Sequence, residues 1–83
     1  MHARAEVSIS FKSRRLADSI AKSLSPEANH PAGTKSRVRV RVQQRRLDIT
    51  FLARDVTALR ATMNSYLRII TASLRVTEAL ANN

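Results

Sequence analysis

The chain has 83 residues and a mass of 9.3 kDa, which allows one small domain and excludes an enzyme built from two lobes around a central cleft. Fifteen Lys or Arg against six Asp or Glu give a net charge of +9. There is no cysteine, so disulfides and thiol catalysis are excluded. A core this small, without disulfides, is expected to gain stability by association.

The chain has no targeting signal of a familiar kind. No apolar run approaches the roughly 18 to 20 residues that span a bilayer, and the N-terminus lacks the apolar segment of a secretion signal. An Arg- and Ser-rich start suits a mitochondrial transit peptide, but apolar and polar residues alternate from Ala5 to Phe11, which predicts a strand instead. We therefore expect a cytoplasmic protein that makes no membrane contact.

Five elements are predicted along one domain covering residues 1–83. A strand at about residues 3–11 is followed by a helix at about 14–24, with Ser13 as N-cap and Pro26 just beyond its end. Residues 25–36 hold both prolines and the only glycine, which predicts a loop. A hairpin over about 37–53 and a long helix over about 56–80, capped by Asp55, complete the domain.

The hairpin has a defined register. With Gln44 and Arg45 at the tip, the two alternating patterns place apolar residues opposite one another on one face. The expected pairs are Val42 with Leu47, Val40 with Ile49, and Val38 with Phe51. We predict an α+β fold, a three-stranded antiparallel sheet with two helices on one face in the order β-α-β-β-α. This layout is KH-like but has no GxxG loop.

The long helix carries more apolar surface than one sheet needs. At 1.5 Å per residue it is roughly 40 Å long, against about 23 Å for a seven-residue strand, so it should overhang the sheet. One stripe can cover the sheet: Val56, Leu59, Met63, Tyr66, Leu67, Ile70 and Leu74. The second is a candidate interface for a partner helix: Ala58, Ala61, Ile69, Ala72, Val76 and Leu80. The alternative is that its alanines are only good helix formers on an exposed face.

Catalytic and metal-binding patterns are missing from the sequence. His2 and His30 have no obvious orienting carboxylate or metal-ligand companion nearby in sequence, and no two of the six acids are spaced for acid and base work on one element. No serine has a nucleophile-elbow pattern around it. We predict no catalytic residue, no cofactor and no metal site, so the chain alone is not expected to be an enzyme.

Positive charge is concentrated around the hairpin. Six cations and no acid lie between residues 35 and 46: Lys35, Arg37, Arg39, Arg41, Arg45 and Arg46. The alternating arginines project from one strand face about 7 Å apart, comparable to the phosphate spacing of a nucleic-acid strand. The three aromatics lie on apolar faces, so RNA would be bound through phosphates rather than by stacked bases. Alternatively, the arginines only keep a sheet face soluble and discourage strand aggregation.

Three segments carry a family resemblance. The run DVTALRATMNSYLR at residues 55–68, with LSPE at 24–27 and LDITFLARD at 47–55, resembles the small dimerisation subunit of the KEOPS complex, the Pcc1-like family, over about residues 5–75. The Ala58-Leu-Arg60 and Asn64-Ser-Tyr-Leu-Arg68 runs are its most distinctive parts. Many relatives have an aromatic where Ile69 stands and a glycine-containing turn at Gln44 and Arg45.

The resemblance implies a non-catalytic scaffold subunit. Such a subunit pairs with itself or a paralogue and docks the threonylcarbamoyl-transferring catalytic subunit. The assembly modifies certain tRNAs with threonylcarbamoyladenosine next to the anticodon, and the nucleotide and metal belong to the catalytic subunit. The alternative from the charge alone is an independent RNA-binding or ribosome-associated module that reads phosphates.

Overall fold

The computed structural model describes residues 3–29 and 36–81, with side chains described for 3–24 and 36–76. In chain order the elements are β1 (Ala3–Ser10), α1 (Arg14–Asn29), β2 (Ser36–Gln43), β3 (Arg46–Ala53) and α2 (Val56–Ala81). The α+β class and the order β-α-β-β-α are confirmed.

The sheet is antiparallel and has the strand order β1-β3-β2, so β3 is central and β1 and β2 are edges. The predicted hairpin register is confirmed at all three apolar pairs, for example Val40 opposite Ile49. Strand β1 pairs along the other side of β3, with Val7 opposite Ile49. One inner apolar row therefore runs across three strands from Val7 through Ile49 to Val40.

The hairpin turn contains the two residues predicted for it. Gln43 pairs with Arg46, which leaves Gln44 and Arg45 between the strands. Gln44 has a φ of 58°, the left-handed region that favours glycine, and it is the one non-glycine with positive φ in the described chain. Positive φ at the first turn residue but not the second matches a type II′ turn, whose twist suits a two-residue hairpin.

The core lies between the inner sheet face and the two helices. Central-strand residues Leu47, Ile49 and Phe51 are at most 1% exposed, because β3 is flanked on both sides and covered by helix. The Phe51 ring meets the Tyr66 ring edge to face, with centroids 5.5 Å apart and planes at 86°. The rest of the buried cluster is Phe11, Ala17, Ile20, Leu24 and Ile70.

Both predicted helix caps are formed. The Ser13 Oγ accepts from the Leu16 N–H at 3.2 Å, and the Asp55 Oδ1 accepts from the Ala58 N–H at 2.8 Å. Each bond satisfies one of the backbone donors that a helix start leaves without an intrahelical partner. The two caps therefore fix where the chain leaves β1 and β3 for the helical layer.

Some predicted boundaries were wrong. Helix α1 runs to Asn29 instead of ending at residue 24, so Pro26 lies inside the helix, where the φ fixed by its ring is close to the helical value. The predicted loop is shorter for the same reason, and Ser36 already belongs to β2. The predicted ends of β1 and α2 agree with the structure to within one residue, since β1 ends at Ser10 and α2 at Ala81. His2, His30 and Lys35 lie outside the described residues.

Helix α2 is the longest element. Its 26 residues correspond to about 39 Å, whereas an eight-residue strand covers about 26 Å. The longest dimension of the molecule, 43 Å, is close to the helix length. The predicted overhang of the helix beyond the sheet follows from these lengths. None of the helices in the described chain is apolar over a length that could cross a membrane.

Candidate partner and phosphate-binding surfaces

The face of the sheet opposite the helices, here called the outer face, is covered with polar and charged side chains. Alternation along the strands puts every second residue there, and the cross-strand register aligns them in rows. The rows, from β1 through β3 to β2, are Arg4-Leu52-Arg37, Glu6-Thr50-Arg39, Ser8-Asp48-Arg41 and Ser10-Arg46-Gln43. The predicted shared face of Arg37, Arg39, Arg41 and Arg46 is therefore formed.

Arg46 is neutralised within this face. Its Nε lies 3.0 Å from Asp48 Oδ1, and its terminal nitrogen donates to Gln43 Oε1 at 2.6 Å. The Ser8 Oγ donates to the same Asp48 carboxylate at 2.8 Å. The Ser8 hydrogen bond, followed by the hydrogen bond and charge of Arg46 and the charge of Arg41, lowers the pKa of Asp48, although desolvation opposes them. Arg46 is thus less available to an external phosphate than its position suggests.

The β2 arginines differ in what lies beside them. Arg41 stands opposite Asp48, whereas Arg39 stands opposite Thr50 and Arg37 opposite Leu52. All three are exposed, and within the described residues none has an ion pair closer than 4 Å. Arg37 and Arg39 are therefore the two β2 arginines with no acid directly opposite on β3. They carry most of its usable positive charge.

The remaining phosphate candidates lie elsewhere. Arg45 is exposed in the hairpin turn rather than on the outer face, and its carbonyl accepts from the Phe11 N–H at 2.9 Å. On β1, Arg4 is paired with Glu6, so the two charges cancel at that edge. Lys35 is not among the described residues. The positive surface is thus a β2 row that continues to the turn.

The second stripe of α2 is only partly exposed. Ala61, Ala72 and Val76 are exposed, and Val76 is 60% accessible, a large value for a valine. Ala58 is half-buried, and Ile69 is half-buried against the core cluster. The side chain of Leu80 lies outside the described residues. Ile69 therefore contributes to the fold, and the exposed part of the stripe is made of Ala61, Ala72 and Val76.

Two residues assigned to the sheet-covering stripe are exposed instead. Val56 is 57% accessible and Leu67 is 37% accessible. Val56 is the first residue of α2, so it lies where the helix has just left the sheet. Leu67 lies about 60° around the helix from the buried Ile70 and about 100° from the buried Tyr66. This second exposed flank was not predicted from the sequence. The signal for it was the angular position of Leu67 at the edge of the apolar stripe.

The aromatic side chains and the possible metal ligands were compared with these surfaces. Phe11, Phe51 and Tyr66 are at most 8% exposed, which confirms that they lie on inner faces. Within the described residues, no three His, Cys, Asp or Glu side chains group as a metal site would require. What the surface can do chemically is bind anions through arginine and bind apolar partners through α2.

These features define a small α+β domain with an open arginine-bearing sheet face and an overhanging helix. A family model described as "Transcription factor Pcc1" matches residues 4–78, so the chain belongs to the Pcc1 family. The resemblance seen at residues 55–68 is thereby confirmed, and the family supports a role as a non-catalytic KEOPS subunit.

A solved structure shares the fold. The chain is similar to one described as "Crystal structure of binary complex Gon7-Pcc1", with 19% sequence identity and a TM-score of 0.81. The alignment covers 95% of this chain and 96% of that chain, so the two domains have the same extent. No curated protein matched the sequence.

Proposed function

We propose that this chain is a non-catalytic dimerisation and scaffold subunit of KEOPS. It pairs with itself or a paralogue, docks the threonylcarbamoyl-transferring catalytic subunit and helps to bind tRNA through phosphates, in the cytoplasm. The match of residues 4–78 to the Pcc1 family carries this proposal. The exposed surfaces of α2 and of the sheet support the assignment of each task to a part of the chain.

Docking of the catalytic subunit is assigned to α2. The helix exceeds the strands in length, and Val76 is exposed in its C-terminal half with Ala72 one turn before it. Small residues next to a branched apolar one allow another helix to approach closely. A helix that served only its own sheet would present charged residues at these positions. The exposed apolar strip therefore fits a partner helix.

Self-association is supported by the two open edges of the sheet. Strands β1 and β2 each have one side that pairs with β3 and one side without a strand in the described chain. An exposed edge offers N–H and C=O groups to a second chain, and closed two-fold dimers are the commonest oligomers. The similar structure holds Pcc1 with a different protein, Gon7. A paralogue or another small subunit could therefore take the place of the second copy.

A pair of aspartate variants on α2 tests the docking. Val76→Asp would bury an unpaired charge in the interface, which costs several kcal/mol, so capture of the catalytic subunit should fall by roughly tenfold or more. Thr71→Asp places the same charge at an exposed position of α2 outside the strip and should retain capture. Quantitative pull-down with the purified catalytic subunit measures both. If both variants capture the catalytic subunit equally well, the exposed apolar strip of α2 is not part of the interface.

Ile69 also belongs to the predicted interface stripe, but Ile69→Asp is a poorer probe of docking than Val76→Asp. Because Ile69 packs against the core cluster, a charge there should destabilise the domain as well as the docking. Thermal unfolding of the variant would separate the two effects. The Val76 comparison is preferred because the side chain is mostly exposed in the chain alone.

Two arginine pairs test the tRNA contribution. Arg37→Gln with Arg39→Gln removes the two β2 arginines that have no acid opposite on β3, whereas Arg60→Gln with Arg68→Gln removes two exposed cations from α2. Only the first pair should weaken tRNA binding and reduce its salt dependence, by a slope of roughly 0.7 to 0.9 per lost phosphate contact. If both pairs lose the same tRNA affinity, the effect comes from net charge and not from the outer face.

The second candidate function is an independent RNA-binding module, favoured by the exposed β2 arginines. It predicts strong tRNA binding by the chain alone at physiological salt, without dimerisation or capture of the catalytic subunit. Negligible binding under these conditions would eliminate it and leave the outer face with an auxiliary role in the assembled complex.

A further inference from the structure

A second cationic surface lies at the hairpin tip, where three segments meet. The hydrogen bond from the Phe11 N–H to the Arg45 carbonyl joins the end of β1 to the turn, and α1 begins three residues later at Arg14. Between them is an open depression of about 660 Å³. Its lining residues are Ser10, Arg14, Val42, Gln43, Gln44, Arg45 and Arg46. We call this the tip depression.

The lining of the tip depression contains three arginines and no acid. Arg46 is compensated by Asp48, which lies outside it. Arg14 has only a long contact, 3.8 Å, to Asp18, and both side chains are largely exposed, so their attraction is weak. Arg45 has no ion pair among the described residues. Two cations from separate segments, Arg14 and Arg45, are thus free to act on a ligand here.

The outer face also has a depression, and its lining differs from that of the tip depression in charge. That depression is also lined by three arginines, Arg39, Arg41 and Arg46, but Glu6 and Asp48 line it as well. An incoming phosphate would meet two carboxylates on the outer face and none at the tip. The tip depression is therefore the more favourable of the two for an anion.

Its other polar groups suit a phosphate. The Ser10 hydroxyl and the amides of Gln43 and Gln44 can donate hydrogen bonds beside the guanidinium groups. Lys12 and Arg15 are exposed in the same short segment as Arg14, which extends the positive surface around the end of the molecule. Such mixed sets of arginine, hydroxyl and amide donors make many contacts to nucleic-acid phosphates.

We propose that the tip depression binds a phosphodiester group of RNA, with Arg14 and Arg45 as the charged contacts. This deepens the RNA-binding part of the proposed function, on which it rests, by adding a site continuous with the β2 arginines. The bound strand runs from Arg37 and Arg39 along β2 to the turn. The sequence pattern of residues 35–46 did not include Arg14, since it lies on another element.

The test compares three double variants of the full chain. Arg14→Gln with Arg45→Gln changes the tip, Arg37→Gln with Arg39→Gln changes the outer face, and Arg60→Gln with Arg68→Gln is the control with the same charge change. Binding of a fluorescently labelled tRNA transcript is measured against salt concentration. The tip pair should lose roughly tenfold in affinity, with a shallower salt slope, while the control loses much less.

The outcomes separate the inference from the proposed function. If the outer-face pair loses affinity and the tip pair matches the control, the inference is overturned and the outer-face role stands. If wild type binds no tRNA either alone or together with the catalytic subunit, both RNA assignments fail, while docking of the catalytic subunit is still decided by pull-down. Thermal unfolding checks that each variant is folded, and the single change Arg45→Gln should still weaken binding if the tip pair is unstable.

Inorganic phosphate is another anion that could occupy the tip depression, so the two ligands are compared directly. Backbone amide shifts of Ser10 to Arg14 and of Arg45 are followed while inorganic phosphate or tRNA is added. Shifts with tRNA at far lower concentration than with phosphate support the proposal. Shifts with inorganic phosphate alone would assign the depression to small anions and overturn it.

Discussion

The inner and outer faces of the sheet are built from the same three strands but behave differently. On the inner face, Leu47 and Phe51 are fully buried beneath the helices. On the outer face, Arg37 and Arg39 are exposed, with no element of the described chain above them. The inner face is covered within one chain, whereas the outer face stays open to solvent in the described chain. Stability should therefore depend on the first and binding on the second.

The largest expected effect of this contrast is on stability. Phe51→Ala removes a fully buried ring that packs edge to face on Tyr66 and should cost about 3–5 kcal/mol. Thr50→Ala, the neighbouring residue on the outer face, should cost less than about 1 kcal/mol. Denaturant unfolding measures both changes. Similar losses for the two variants would show that the outer face is also part of the core.

A smaller effect is expected at the turn that joins β2 and β3. Gln44→Gly relieves a positive φ at a non-glycine residue and should stabilise the domain by about 0.5–1 kcal/mol. Arg45→Gly is the matched control, because Arg45 has no positive φ and should instead lose stability through added chain entropy. Thermal unfolding compares them. If Gln44→Gly destabilises the domain, the positive φ assigned to residue 44 is wrong.

The smallest effect belongs to the polar network of the outer face. Because the pKa of Asp48 is lowered in the folded chain, its carboxylate contributes stability above the ordinary pKa near 3.9, and this is lost as pH falls through the folded value. Asp48→Asn should therefore destabilise slightly at neutral pH and not in strong acid. In an NMR titration, Ser8→Ala should raise the pKa of Asp48 toward its ordinary value, and an unchanged pKa would contradict the main cause assigned to it.

The sequence predicted the inner face better than the outer one. Period-two alternation determines which residues point inward, so the pairing of Val40 with Ile49 could be derived from β2 and β3 alone. Alternation within β3 also places Arg46 beside Asp48, but the hydrogen bond from Ser8 to Asp48 required the pairing of β1 with β3, which depends on strand order. Arg14 joined the hairpin tip for the same reason. Alternation within one strand carries no information about which distant charges meet.

Helix α2 shows a similar limit. Its length and its buried residues Tyr66 and Ile70 follow from the apolar periodicity. Ile69 and Leu67 lie on the two flanks of that buried stripe, where the packing of neighbouring elements decides exposure. The extension of α1 past Pro26 was missed because proline was taken as a helix end, since an interior proline loses a hydrogen bond and its ring clashes with the preceding turn.

The central claim, that this chain is a scaffold completed by association, is tested most directly by its mass in solution. Sedimentation equilibrium at micromolar concentration should give about 19 kDa, twice the chain mass of 9.3 kDa. Addition of the purified catalytic subunit should move the chain into a larger species. A mass of 9.3 kDa that stays unchanged when the catalytic subunit is added would contradict the account.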